Sequence, residues 1–100
     1  MERIKSVSIT KDNKLLLSLE SKGNTDYQYI YREAAGVYWN EKHNGFESTP
    51  LKNDMSCSEW FAHIIKTANS SGIELSLSKD VSWLNIESVE KEKILNEHSI

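Results

Sequence analysis

The residues of this sequence that could perform chemistry begin with a single cysteine, Cys57. The sequence predicts that Cys57 is the first residue of a helix, where the helix dipole and free amide groups can lower a thiol pKa and create a nucleophile. A catalytic thiol also needs a base. His63 follows six residues later, about 240° around a helix, so it points away from Cys57. His43 could reach the thiol only if a hairpin folded over the helix start, so we interpret Cys57 as structural or incidental.

The three histidines, His43, His63 and His98, do not show the spacing of a metal site. Glu59 and His63 are four residues apart and could form one edge of such a site, but a solvated surface pair is the more common role of this spacing. A chain with one cysteine can form neither an internal disulfide nor a zinc site made of cysteines. We therefore expect no metal and no cofactor. Nucleotide-binding, serine-hydrolase and zinc-protease motifs are absent from the sequence.

The best candidate for a binding site is a tyrosine segment. Tyr27, Tyr29 and Tyr31 alternate along the chain, which is the period of a strand, so their rings should share one face of a sheet. Arg32 and Glu33 follow directly, and an arginine can bind a carboxylate or a phosphate through two parallel hydrogen bonds. An ordinary surface ion pair is the simpler interpretation of these two charges.

More aromatic residues follow within a few positions of the tyrosine segment. The predicted binding residues are Tyr27, Tyr29, Tyr31, Arg32, Glu33, Tyr38 and Trp39. Tyrosine combines a large apolar ring with a hydroxyl that needs a partner, so a row of tyrosines suits an interface or a half-wet surface. The row could therefore belong to the core, to an interface between proteins or to a ligand platform, and the sequence leaves these three possibilities open.

Composition restricts the classes of partner. The 100 residues carry a net charge of −3 and an ordinary hydrophobic content of 38%, which predicts one soluble domain over residues 1–100. Basic residues are interspersed with acids, so stacking of single-stranded nucleic acid on the tyrosines is disfavoured and we expect no nucleic-acid partner. No stretch is apolar enough for a signal peptide or a membrane span. The expected location is the cytoplasm, without membrane contact.

The first half of the chain alternates as strands do. Val7 and Ile9 alternate with polar residues, a turn follows at Lys11–Lys14, and Leu15, Leu17 and Leu19 then share one face of the next strand. After a turn at Gly23-Asn24 come the tyrosine strand, over about 26–32, and a strand over about 37–41. Asn44-Gly45 predicts a hairpin with a brief return strand from Phe46.

The second half begins with a loop over Ser48–Ser56 and continues as a helix. Ser56 followed three places later by Glu59 is a capping box, so a helix should begin here, with Gly72 at its end. Alternation resumes from Ile73 to Leu77 and again over about 81–86. Ser88 is expected to cap a short charged helix that runs to about residue 97.

These elements predict an α+β fold, in which an antiparallel sheet meander carries one amphipathic helix on one face and a short C-terminal helix. The helix places its apolar residues on one side, facing the sheet. The predicted core consists of Leu15, Leu17, Leu19, Trp60, Phe61, Ile64, Ile65, Ile73, Leu75 and Leu77.

The order of several short motifs resembles that of a group of small uncharacterised bacterial proteins. The motifs are Tyr31–Trp39, Gly45-Phe46, Trp60-Phe61, His63-Ile64, Gly72–Leu75 and Trp83–Ile86. The proteins are those of mobile gene cassettes of the integron type, and the resemblance covers residues 27–86. It implies a bacterial origin and an α+β fold, and it implies no catalytic residue.

The residues favour a small binding or interaction protein of a bacterial mobile element, without catalysis of its own. Its partner would be another protein or a second copy of the chain, the latter as a homodimer through the tyrosine face. One alternative is an immunity-type inhibitor of a partner protein. The other is a small-ligand or enzymatic pocket built from Tyr29, Tyr31, Arg32, Glu33 and Trp39.

Overall fold

The computed structural model describes residues 2–20, 36–50 and 56–98. These residues form five strands and two helices. In chain order the elements are β1 (Glu2–Ile9), β2 (Lys14–Leu19), β3 (Val37–Asn40), β4 (Gly45–Pro50), α1 (Cys57–Ser70), β5 (Leu75–Leu84) and α2 (Ser88–His98). The predicted α+β class is confirmed, with an amphipathic helix and a short C-terminal helix.

The five described strands form one sheet in the order β3-β4-β2-β1-β5. Three neighbouring pairs are antiparallel, as predicted, and the hairpins β1–β2 and β3–β4 connect strands that are consecutive among the described residues. The pairing of β1 with β5 is parallel, so the sheet is mixed and departs here from an antiparallel meander. The reason is the position of α1, since a helix between β4 and β5 returns the chain to the far edge of the sheet in the same direction as β1.

A β-bulge in β1 explains why two core residues of that strand are three positions apart. Ile4 pairs with Leu19, and Ser6 pairs with Ser18, so β1 contains one extra residue, Lys5. Strict alternation would place Ile4 and Val7 on opposite faces. The bulge shifts the alternation by one residue, and both side chains are fully buried.

Helix α1 has the ends that its sequence predicts. The Ser56 side chain accepts a hydrogen bond from the Glu59 backbone N–H, and the Glu59 carboxylate accepts one from the Ser56 N–H, each at 3.2 Å. At the other end Ile73 N–H donates to Ala68 O and Gly72 N–H to Asn69 O, both at 3.0 Å. Gly72 has a φ of +85°, so these bonds form the left-handed motif that commonly closes a helix.

Three predicted boundaries differ from the observed ones. Strand β4 continues to Pro50, into the segment predicted as a loop. The two strands predicted after α1 are one strand, β5, which contains extra residues between Leu77 and Ser82 where it pairs with β1. Ser88 is the first residue of α2, and the carbonyl of Glu87 accepts the first helical hydrogen bond, from Lys91 at 2.9 Å.

The core lies between one face of the sheet and the two helices. Its fully buried residues include the three alternating leucines of β2, together with Phe46, Phe61 and Ile64. Four residues predicted as core, namely Trp60, Ile65, Ile73 and Leu75, are partly buried and pack against this cluster. The opposite face of the sheet carries the remaining strand side chains, and the candidate site lies there.

Candidate functional site

Five of the residues predicted to bind, Tyr27, Tyr29, Tyr31, Arg32 and Glu33, lie outside the described residues. The other two, Tyr38 and Trp39, are neighbours on β3.

Tyr38 and Trp39 point to opposite faces of the sheet because they are consecutive residues of a strand. Trp39 pairs with Phe46 and packs edge-on against its ring, with centroids 5.0 Å apart and planes at 68°. It therefore belongs to the helix side and to the margin of the core. Tyr38 pairs with Glu47 on the helix-free face. One surface cannot present both rings.

Tyr38 belongs to a polar network with Lys14, Glu47 and Asn40. The Lys14 ammonium lies 4.0 Å from Glu47 Oε1 and 5.6 Å from the centre of the Tyr38 ring. Asn40 Nδ2 donates to Glu47 Oε2 at 3.4 Å. Only 9% of the Glu47 side chain is exposed, so its charge is stabilised by these neighbours rather than by bulk water.

The network also acts on the acid–base properties of its members. Burial raises the pKa of Tyr38, the hydrogen bond with Lys14 opposes that rise, and Glu47 adds to it. The hydrogen bond with Tyr38 is the largest of the effects that raise the pKa of Lys14. Tyr38 therefore keeps its proton and Lys14 its charge at neutral pH, and neither serves as a general base there.

A groove of about 560 Å³ crosses the same face of the sheet, and we call it the serine groove. Strand β1 and its neighbours β2 and β5 form the floor of the groove. Ser6 pairs with both Ser18 and Ser82, and Ser8 pairs with Leu16 and Leu84. The side chains that line it with hydroxyl groups are Ser6, Ser8, Thr10 and Ser18. Its volume falls within the roughly 300–1,000 Å³ of common small-molecule sites.

Both ends of the serine groove carry groups that can recognise charge or polarity. Lys11 and Asp12, from the turn between β1 and β2, stand at one end. Asn85 lies beside them, held by a hydrogen bond from its Nδ2 to Ile9 O at 3.2 Å. His43, from the turn between β3 and β4, stands at the other end, and its backbone N–H donates to Asn40 Oδ1 at 3.3 Å. The groove thus offers neutral hydroxyls along its floor and ionisable groups at its ends.

Leu84 forms an apolar edge of the serine groove. It is 56% exposed, and it is one of two large hydrophobic side chains with high exposure among the described residues. Leu16, on the other side of the Ser8 row, is 6% exposed. A ligand in the groove could therefore bury the Leu84 side chain while it bonds to the serines.

Cys57 lines a second, smaller cavity of about 270 Å³ between the starts of the two helices. Burial, followed by the carboxylates of Glu90 and Glu87, raises the pKa of this thiol to about 11. Glu87 and Glu90 stand at the start of α2, where acidic side chains complement the helix dipole. The cavity therefore suppresses thiolate formation, which is the opposite of what a nucleophilic cysteine requires.

We expect alkylation of Cys57 by iodoacetamide to be slow at neutral pH. The rate should rise with pH, with a midpoint near 11, where the thiol ionises. Replacing Glu90 with glutamine should lower that midpoint, because one repelling charge is removed. Lys66→Ala, at an exposed position on α1, is the control and should leave the midpoint unchanged. Rapid modification of the wild type at neutral pH would contradict a structural role for Cys57.

The remaining candidate groups do not assemble into a metal site. His63 packs edge-on against Trp60, with ring centroids 5.4 Å apart. Within residues 2–20, 36–50 and 56–98, no group of three or more histidine, cysteine or acidic side chains is placed to hold a metal ion. Over the same residues, no helix has the length and apolar composition needed to cross a bilayer.

Sequence reasoning missed the serine groove, although one signal for it is present. Ser6 and Ser8 alternate with Val7 and Ile9, which predicts a hydroxyl-bearing face on β1 opposite the core. That signal by itself is also typical of any solvated strand. The additional information is the pairing of β1 with β2 and β5, which places further serines and two leucines beside it.

The fold and site define a small α+β protein with helices on one face of a mixed sheet and a polar groove on the other. No protein-family model and no curated protein sequence matches the chain. Among solved structures, it is similar to Hfx_Cass5, an integron cassette protein from the mobile metagenome of the North West Arm sewage outfall. The two are 24% identical, the match covers 96% of this chain and 93% of that chain, and the TM-score is 0.40. The predicted resemblance to integron cassette proteins is confirmed.

Proposed function

We propose that this chain is a non-catalytic binding protein of a bacterial mobile element and that it binds a small polar molecule in the serine groove. The observation that carries the proposal is the groove itself, a cavity of about 560 Å³ with four hydroxyl side chains. The mobile-element origin rests on the resemblance of segments such as Tyr31–Trp39 to integron cassette proteins. Of the alternatives that the sequence leaves open, we therefore prefer the binding of a small ligand. We place that ligand in the serine groove and not in the predicted pocket around Tyr29.

The lining of the groove indicates the chemistry of the ligand. Serine and threonine hydroxyls both donate and accept hydrogen bonds, so they fit a molecule with several hydroxyl, amide or carbonyl groups. The apolar edge at Leu84 fits a ligand with one apolar side. Lys11 and Asp12 together at one end tolerate either sign of charge, so the groove does not demand an anion or a cation.

Two ionisable groups outside the serine groove support a non-catalytic role. The raised pKa of Cys57 disfavours a thiolate, and the raised pKa of Tyr38 disfavours a phenolate. A general base should instead titrate near the working pH. The network around Glu47 then has a structural interpretation, since it joins β2, β3 and β4 on the groove side of the sheet.

Replacing Ser8 with phenylalanine should abolish ligand binding without unfolding the protein. The new ring would fill the groove from its floor, and it points away from the core because Ser8 is on the helix-free face. A ligand-observed NMR screen of small neutral, anionic and zwitterionic molecules would measure binding to the wild type, to Ser8→Phe and to Ser70→Phe. Ser70 is an exposed residue at the end of α1, on the helix side, so its variant adds the same ring elsewhere.

We expect the molecules that bind the wild type to bind Ser70→Phe equally and Ser8→Phe at least about tenfold more weakly, a loss of about 1.4 kcal/mol. Equal binding to Ser8→Phe, or the lack of any binder to the wild type, would contradict the proposal. Circular dichroism of the variants checks that the fold is kept.

Self-association through the tyrosine segment is a separate proposal that rests on the alternation of Tyr27, Tyr29 and Tyr31. Light scattering of the wild type tests it directly, because a homodimer has twice the mass of 11.5 kDa. A dimer that persists in Ser8→Phe would place the interface away from the groove. A monomer at every concentration would remove the homodimer and leave the groove proposal intact.

A further inference from the structure

The attachment of helix α2 depends on few side chains. Most of its sequence is charged or polar, and Ile94 is its one fully buried residue. His98 is one turn further along, on the same side of the helix. Its ring packs on Phe61 of α1, with centroids 4.9 Å apart and planes at 57°. The C-terminal half of α2 is thus held by Ile94 and His98, with Leu95 partly buried against the same core.

His98 is in an unusual position for a group that can take up a proton. Its side chain is 23% exposed, and its Nε2 atom is buried with no hydrogen-bond partner among the described residues. The group it faces on α1 is the uncharged ring of Phe61. On its own helix, Glu97 places Oε2 at 3.9 Å from Nε2, but 57% of that side chain is exposed, so water screens its charge.

We propose that the contact between His98 and Phe61 is a proton-sensitive latch, which holds the end of α2 against α1 while the imidazole is neutral and releases it on protonation. Protonation here would place a charge on a partly buried ring whose Nε2–H donor lacks an acceptor. The ring can regain water by moving away from Phe61. Release would uncover Phe61 and Ile94, two apolar side chains that are fully buried in the closed form.

The expected direction with pH follows from the burial of the ring. Burial lowers the pKa of His98, while Glu97 acts in the opposite direction and more weakly. A histidine whose pKa is lower in the docked state stabilises docking fully above its ordinary pKa of about 6.5. That contribution is lost as the pH falls from this value through the pKa of the docked ring. The latch is therefore closed at neutral pH and weakens in mild acid.

Amide hydrogen exchange over residues 91–98 tests the latch at about pH 7.5 and about pH 5.5, on either side of the ordinary histidine pKa. After correction for the intrinsic effect of pH on exchange, protection of α2 should fall several-fold in acid, while protection of β2 should not change. An NMR titration of the His98 ring should show a midpoint below that of an exposed histidine, coincident with the loss of protection.

Two variants separate the latch from a general effect of acid. His98→Phe keeps a ring on Phe61 but cannot take up a proton, so its α2 protection should be the same at both pH values. His63→Gln removes a different histidine and should behave like the wild type. A fall in protection that persists in His98→Phe would overturn the proposal. So would a wild-type α2 with equal protection at both pH values.

Discussion

Gly45→Ala is expected to unfold the protein or to leave it only marginally stable. Gly45 is the first residue of β4 and pairs with Ser18 on one side and with Asn40 on the other. A Cβ at this position would lie 2.4 Å from the carbonyl oxygen of Leu17 and 2.9 Å from the Cα of Ser18. Both are backbone atoms of β2, so no side chain can rotate to relieve the contact.

The loss should therefore reach or exceed the upper end of ordinary overpacking, about 3 kcal/mol. A domain of this size has a total stability of only about 5–15 kcal/mol. Urea denaturation followed by circular dichroism would measure the change. Gly72→Ala is the matched control, since a Cβ there meets nothing within 4 Å and costs only the left-handed backbone strain of about 1–2 kcal/mol. Equal effects of the two variants would show that β2 and β4 are not packed as described.

Ile64→Ala is expected to have the second large effect. Ile64 is on the sheet-facing side of α1 and is fully buried within the central hydrophobic cluster. Truncation removes apolar contacts and leaves a cavity between α1 and the sheet. Changes of this kind cost about 2–5 kcal/mol.

The matched control for Ile64→Ala is Lys66→Ala, two residues further along α1 at an exposed position. Alanine favours helices at least as much as lysine, so this change should move the urea midpoint by little. A small and equal shift for both variants would mean that α1 does not use this face against the sheet. A large shift for Ile64 alone supports the core described above.

The sequence was most predictive where the determining interactions are local. Helix α1 begins and ends as predicted because Ser56, Glu59 and Gly72 form their capping bonds with residues a few positions away. The alternating leucines of β2 face the core for a similar reason, since side-chain direction in a strand repeats every two residues. The same rule places Tyr38 and Trp39 on opposite faces of the sheet.

The sequence is less predictive where the determining interactions join residues that are far apart in the chain. The pairing of β1 with β5 joins residues more than 70 positions apart, and their backbone hydrogen bonds are independent of side-chain type. The bulge at Lys5 is likewise a consequence of pairing, because it brings both Ile4 and Val7 to the buried face. Neither feature leaves a pattern that can be read along one segment.

By itself, the sequence determined the α+β class, the ends of α1 and the core faces of β2 and α1. Each depends on capping bonds or on a repeat of hydrophobic residues within about one helix or strand. The tertiary structure alone decided which strands are neighbours, and thereby the serine groove, the burial of Cys57 beside Glu87 and Glu90, and the contact of His98 with Phe61. Those arrangements follow from burial of apolar surface summed over the whole chain, and this sum is not a property of any one segment.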